Sequence, residues 1–161
     1  MNAKEKTYTM ALAALLLIGL STAWAGYNDI ATINVSGISE SVGTIQKKSD
    51  LSLSGLKKNQ WFYKNFIGVF NITNVNVSDV YVIVGVINLA ELRDTFKSLD
   101  INVTLKIQGG AYKDGGLISL GAGVSSILLT ATNLPVGDSP STLQVDVYVQ
   151  GKPSTTTTDS V

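Results

Sequence analysis

Cysteine and histidine are both missing from this 161-residue chain. Their absence excludes Ser-His-Asp and Cys-His nucleophilic sites, thiolate zinc sites and every histidine-based metalloprotease motif. No disulfide can stabilise the fold, so packing or assembly must supply its rigidity. Charge is scarce too: 12 Lys plus Arg stand against 12 Asp plus Glu, 15% of the chain, and Arg93 is the single arginine. That leaves no basic face for nucleic acid. The apolar run Met10–Leu20 falls short of the ~20 residues that a membrane-spanning helix needs.

What is present begins with an export pattern. Lys4 and Lys6 form a basic start, Met10–Leu20 a short apolar stretch, and Ala23-Trp24-Ala25 a small-x-small cleavage site that leaves Gly26 as the new N-terminus. An uncleaved anchor is the alternative. A class III pilin leader would want a small residue after the basic cluster, where Thr7-Tyr8 stands. Without Lys4, Glu5 and Lys6 the chain carries ten basic and eleven acidic residues. Residues 1–25 are thus expected as a secretory signal, 26–48 as an N-terminal strand with a flexible leash, 49–151 as one β domain, and 152–161 as a Thr-rich polar tail.

The stretch 27–38 sets the question. Ala31, Ile33 and Val35 alternate with Thr32, Asn34 and Ser36, the period of a half-buried strand. Behind it, Ser39–Lys48 is polar and has little to pack. Such a strand either closes its own sheet or completes a neighbour's, and the second is the expectation here. Strands follow at Ser49–Leu56 and Trp61–Ile72, where Gly68 marks a bulge or a close approach. Val80–Ile87 is nearly continuous Val, Ile and Tyr and reads as covered on both faces. Leu89, Leu92, Phe96 and Leu99 recur at helical spacing behind Asn88, with Glu91 placed to complete a capping box, which predicts a helix over 89–98. Ile101–Ile107 alternates cleanly, Asp114-Gly115-Gly116 reads as a tight turn, and strands are expected at 117–120, 124–132 and 143–150. The sum is an all-β, jelly-roll-like sandwich with one short helix.

The acids have structural readings: Glu91 in the capping box, Asp94 on the helix, Asp100 after it, Asp114 and Asp138 in turns. No ligand-spaced cluster for calcium is visible, and the glycines around Tyr112 lack the Lys-Ser/Thr ending of a phosphate loop. The chain therefore reads as a non-enzyme with no cofactor, metal or small-molecule substrate. Asn34, Asn71, Asn76 and Asn102 each begin an Asn-x-Ser/Thr glycosylation tripeptide. Asn76 and Asn102 are the better candidates.

Leu51, Leu53, Gly55, Leu56 and Lys57, an aromatic strand, and Asn71–Val82 in the pattern Asn-x-x-Asn-Val-x-Val-x-Asp-Val-Tyr-Val together resemble the TasA and camelysin group. Asn88-Leu-Ala-Glu-Leu-Arg-Asp-Thr-Phe and the strand after it resemble the helix region of archaeal bundling pilins and of the cannula subunits of hyperthermophilic archaea. After Lys57 the chain has Lys58-Asn59 where the bacterial group has a Pro-Gly turn. The resemblance implies a jelly-roll-like sandwich that forms extracellular fibres by donor-strand complementation.

The sequence-level expectation is a secreted subunit that polymerises head-to-tail with copies of itself. Ala31, Ile33 and Val35, flanked by Ile30 and Ile38, would insert into the neighbour's sheet. The alternatives are a monomeric or anchored cell-surface β-sandwich binding module, and an exported hydrolase.

Overall fold

A computed structural model describes residues 43–48 and 51–154 in full, together with the backbone of 12–13, 29–33 and 35–36. In chain order the strands are β1 (Leu12–Ala13), β2 (Asp29–Ile33), β3 (Val35–Ser36), β4 (Thr44–Lys47), β5 (Leu51–Ser54), β6 (Phe62–Val75) and β7 (Val80–Val86). The helix α1 (Leu89–Thr95) leads into β8 (Phe96–Ile107), β9 (Tyr112–Ser119), β10 (Ser126–Ala131) and β11 (Ser141–Pro153), with a single 3-10 turn at Leu120–Ala122. The fold is an all-β sandwich.

One layer is a five-stranded antiparallel sheet in the order β4-β6-β11-β8-β9. The alternation of its long strands decides which face is dry. Leu143, Val145, Val147 and Val149 of β11 sit beside Ile101, Val103 and Leu105 of β8, each at most 1% exposed. Across the core stand Val80, Val82, Val84 and Val86 of β7 and Leu129 and Ala131 of β10, with Leu51 and Leu53 of β5. A Val or Leu side chain taken fully from water contributes about 1.5–3 kcal/mol, so these two facing rows hold the layers together without any covalent link.

Asp114 ties the layers at one edge. Its Oδ2 accepts the Thr130 N–H of β10 at 2.7 Å and its Oδ1 accepts the Gly115 N–H at 2.8 Å. The expected turn at 114–116 is accordingly part of β9. The hairpin instead turns at Gln108-Gly109-Gly110, where Ile107 N–H reaches the Ala111 carbonyl. Asp, Gly and Gly suit a tight turn, but a carboxylate that grips the facing strand outweighs local propensity.

Four other expectations are corrected. The leash is shorter than 39–48, because Thr44–Lys47 is an edge strand paired with Phe70–Thr73 and extended by Lys48 N–H to the Val69 carbonyl. The helix ends at Thr95, and Asn88 makes no side-chain cap hydrogen bond. Phe96 and Leu99 look helical in spacing because β8 carries an irregularity there: Phe96 pairs with Pro153 and Ser98 with Lys152, so Lys97 is the extra residue. A bulge of this kind puts two core residues three apart in a strand. β7 buries one face only, since Ile83 is 36% exposed and Tyr81 and Gly85 are half-buried. Finally, β11 runs past residue 150 to Pro153, two residues into the stretch read as tail.

Gly68 does mark a bulge. It has φ +67°, and the β6–β11 register shifts opposite it, between Val145 and Val147. Among the described residues no helix is long and apolar enough to cross a membrane.

Candidate strand-exchange site

β7 offers two backbone edges. One is fully used: β10 pairs with it antiparallel from Ser126↔Gly85 to Ala131↔Val80, and Val86 N–H continues the ladder to the Ser125 carbonyl. The opposite edge is met by short pieces. Val35 and Ser36 pair antiparallel with Val86 and Gly85, and Leu12 and Ala13 pair parallel with Tyr81 and Val82. β5 is the second strand of the site. Among the described residues its one sheet partner is β2, through Asp29↔Ser54, Ala31↔Leu53, Thr32↔Ser52 and Ile33↔Leu51.

The segment 29–36 therefore bridges β5 and β7, two strands that share no ladder with each other among the described residues. Its first half runs along β5 and its second half along β7. The sequence reading assigns this segment to a neighbouring copy. In the structure 29–33 and 35–36 lie on this chain's own strands instead.

Register explains why this segment suits the slot. The partners of Ala31, Ile33 and Val35 are Leu53, Leu51 and Val86, each no more than 2% exposed. Ile30 lies in β2. Ile38 and Asn34 lie outside the described residues.

The remaining sequons differ in setting. Asn71 sits on β6 with its Oδ1 shut away from water and without a hydrogen-bond partner. Asn76 is exposed, and its Oδ1 accepts the Gly137 N–H at 2.9 Å, which leaves the amide nitrogen, the atom that carries a sugar, pointing away from that bond. Asn102 is half-buried on β8, with Tyr148 of β11 and Leu117 of β9 as its cross-strand neighbours. Tyr148 also stacks on Tyr63, ring centroids 6.4 Å apart.

A polar cluster on the outer face of the five-stranded sheet escapes the sequence reading. Asp146 is 9% exposed; its Oδ1 accepts the Gly68 N–H and the Gln144 Nε2 amide, each at 2.7 Å, and its Oδ2 pairs with Lys106 Nζ at 2.7 Å. Burial pushes its carboxyl up. The hydrogen bonds from Lys106, Gln144 and Gly68, with the Lys106 charge, outweigh that and hold it below the ordinary carboxylate value. Three donors converge on it, one of them the Gly68 N–H of the bulge, so its role is structural. Strict alternation along β11 could have flagged it, since an acid between Val145 and Val147 on a central strand needs partners.

No family model matches this chain, and no curated protein matches it.

Proposed function

We propose that the chain is a secreted structural subunit that links to copies of itself by exchanging the strand 29–36, and so builds an extracellular filament. One observation carries the reading: β5 and the side of β7 opposite β10 are bridged by the segment 29–36 rather than by a strand from the body of the sandwich. A segment of that kind can leave its own slot and fill the same slot in a neighbour without changing a single pairing, which is the low-cost route of domain swapping. The link between Ser36 and Thr44 spans at most roughly 25 Å when extended, enough to reach across a subunit junction.

The energetics permit either form. Pairing contributes roughly 1 kcal/mol net per hydrogen bond, and each apolar side chain on the core side about 1.5–3 kcal/mol. Both terms are nearly equal in closed and exchanged forms, so concentration decides. Exchange is head-to-tail and need not close into a ring, so it generates an open fibre. The resemblance to the TasA group and to archaeal bundling pilins and cannula subunits points the same way. In this reading the chain is not an enzyme, acts outside the cell without a cofactor, and has other copies of itself as its partners.

A second reading has its own observation. The pairing lies within one chain, as in a monomeric β-sandwich module that closes its own sheet. Size exclusion and negative-stain microscopy on residues 26–161 separate the two. Exchange predicts filaments that disappear when 26–36 is deleted, and monomers restored to stability when the 26–36 peptide is added back. A sharp monomer peak for 26–161 at millimolar concentration refutes it in favour of self-closure.

A further inference from the structure

One row across the outer face of the five-stranded sheet holds a sequon among exposed apolar side chains. Its register runs Asn65 of β6, Tyr148 of β11, Asn102 of β8 and Leu117 of β9. The row beside it runs Tyr63, Gln150, Asp100 and Ser119. Cross-strand partners share a face, so both rows look away from the core, which takes the alternate residues Ile101, Val103, Val147 and Val149. Tyr63 is 61% exposed, Leu117 50% and Tyr148 37%, and the two tyrosine rings stack at 27° to each other. Large apolar groups gathered in water mark a surface that something covers. The single charge in the two rows is Asp100, whose Oδ2 accepts the Gln150 amide at 3.4 Å. A neutral ligand with an apolar face and a rim of hydroxyls suits such a floor. Asn102 begins the tripeptide Asn102-Val103-Thr104, and its side chain makes no hydrogen bond among the described residues.

We infer that Asn102 carries an asparagine-linked glycan whose first sugars lie on Tyr148 and Tyr63. The donor is a lipid-linked oligosaccharide pyrophosphate met during export. A bond forms between Asn102 Nδ2 and the sugar's C1, the C1–O bond to the pyrophosphate breaks, and Nδ2 gives up one proton. The transfer precedes folding, because Asn102 is half-buried once β8 has joined its sheet. The covalent tether names the occupant of the face. Residues directly opposite on paired strands have Cβ atoms about 5 Å apart, so a sugar on Asn102 starts between Tyr148 and Leu117. Tyr63 continues the floor, its ring centroid 6.4 Å from that of Tyr148. The C–H face of a pyranose is drawn to the electron-rich face of a tyrosine ring. Asn65, Gln150 and Asp100 offer amide and carboxylate partners to its hydroxyls. The sugar requires export but not strand exchange, so it belongs to a monomer and to a filament subunit alike.

Four exported samples of the full chain are compared. They are wild type from a host that glycosylates Asn-x-Thr, wild type from a host without the transferase, and Thr104→Ala and Thr104→Ser from the first host. Peptide mass spectrometry reads the sugar at Asn102, and brief nitration with tetranitromethane reads the open tyrosine rings. Tyr81 of β7, in the other layer, is the internal reference. The expected result is a glycan on Asn102 in wild type and Thr104→Ser from the first host, and none in Thr104→Ala. Tyr148 and Tyr63 then nitrate about fivefold slower in the glycosylated chains than in the bare ones, the factor that one ring contact of ordinary strength gives. Tyr81 stays unchanged. Wild type from the second host needs no substitution, so a Thr104→Ala chain that fails to fold leaves the comparison intact. A bare Asn102 in wild type exported by the first host overturns the inference. So does a glycan that leaves both tyrosines as reactive as in the bare chains. Equal shielding in glycosylated and bare chains overturns it as well, since residues 155–161 or a second copy would then cover the face. A chain that neither host exports sinks the export reading and the glycan together.

Discussion

Replacing Asp146 with alanine removes the carboxylate that three donors converge on. The Gly68 N–H is buried in the bulge, and leaving such a donor unpaired costs about 1–3 kcal/mol. Gln144, 8% exposed, loses its partner and contributes about 1 kcal/mol more. Lys106 is 29% exposed and can swing to water, so its ion pair adds little once screening is counted. The expected loss is about 3 kcal/mol in urea unfolding of 26–161, read as a lower midpoint with an unchanged slope. Asp146→Asn keeps an oxygen for Gly68 and should lose about half as much. The pH dependence gives an independent check. The folded carboxyl lies below its unfolded value of about 3.9, so its contribution is full above that value and fades as pH falls through the lower, folded one. The wild type should therefore lose stability on acidification in that window, and Asp146→Asn should lose that share of the slope. A cost under about 0.5 kcal/mol for alanine, the level of an ordinary surface change, would refute the reasoning.

Other positions give further expectations. A Cβ at Gly151 would stand 2.5 Å from the Ser98 carbonyl and 2.9 Å from Leu99 Cδ1, so Gly151→Ala should cost about 1–3 kcal/mol in the same urea assay. Asp114→Ala opens the β9–β10 edge and should lower stability by about 1–2 kcal/mol, with the loss of protection at the Thr130 amide seen by hydrogen exchange. Among the sequons, peptide mass spectrometry of secreted material should find sugar at Asn76 before Asn71. Asn71 carries a buried, unpartnered Oδ1 on a strand, whereas Asn76 is open to solvent.

Much of the sandwich is legible in the amino acids because alternation reports which side of a strand is dry. Ile101–Ile107 reads as a one-face-wet strand, with Asn102, Thr104 and Lys106 half-buried on its outer side, and Leu143–Val149 reads as an alternating strand whose polar Gln144 and Asp146 are nonetheless buried. The bulge at Gly68 is legible for a related reason, since a glycine inside an apolar strand has no packing role of its own. The errors share a cause too. Phe96 and Leu99 mimic a helix because a bulge shifts the period for one residue, and Asp114 mimics a turn because its partner, Thr130, lies sixteen residues away. Neither signal is local. The partners of Asp146 are not local either, coming from β6, β8 and β11 together, so alternation along β11 marks the acid without showing what holds it.

By itself, then, the order of side chains determined that the chain is β-rich, that it carries an export pattern, that it lacks the residues of nucleophilic and zinc chemistry, and that 31, 33 and 35 alternate with polar residues at the period of a strand. Only the tertiary structure decided that 29–33 meet β5 and 35–36 meet β7, and that Leu12–Ala13 meets the same β7. The physical reason is that side chains select a face, whereas edges are made of N–H and C=O groups common to every residue. The neighbour along an edge is chosen by what else the fold leaves open, and among the described residues the body of the sandwich pairs with neither β5 nor the side of β7 opposite β10.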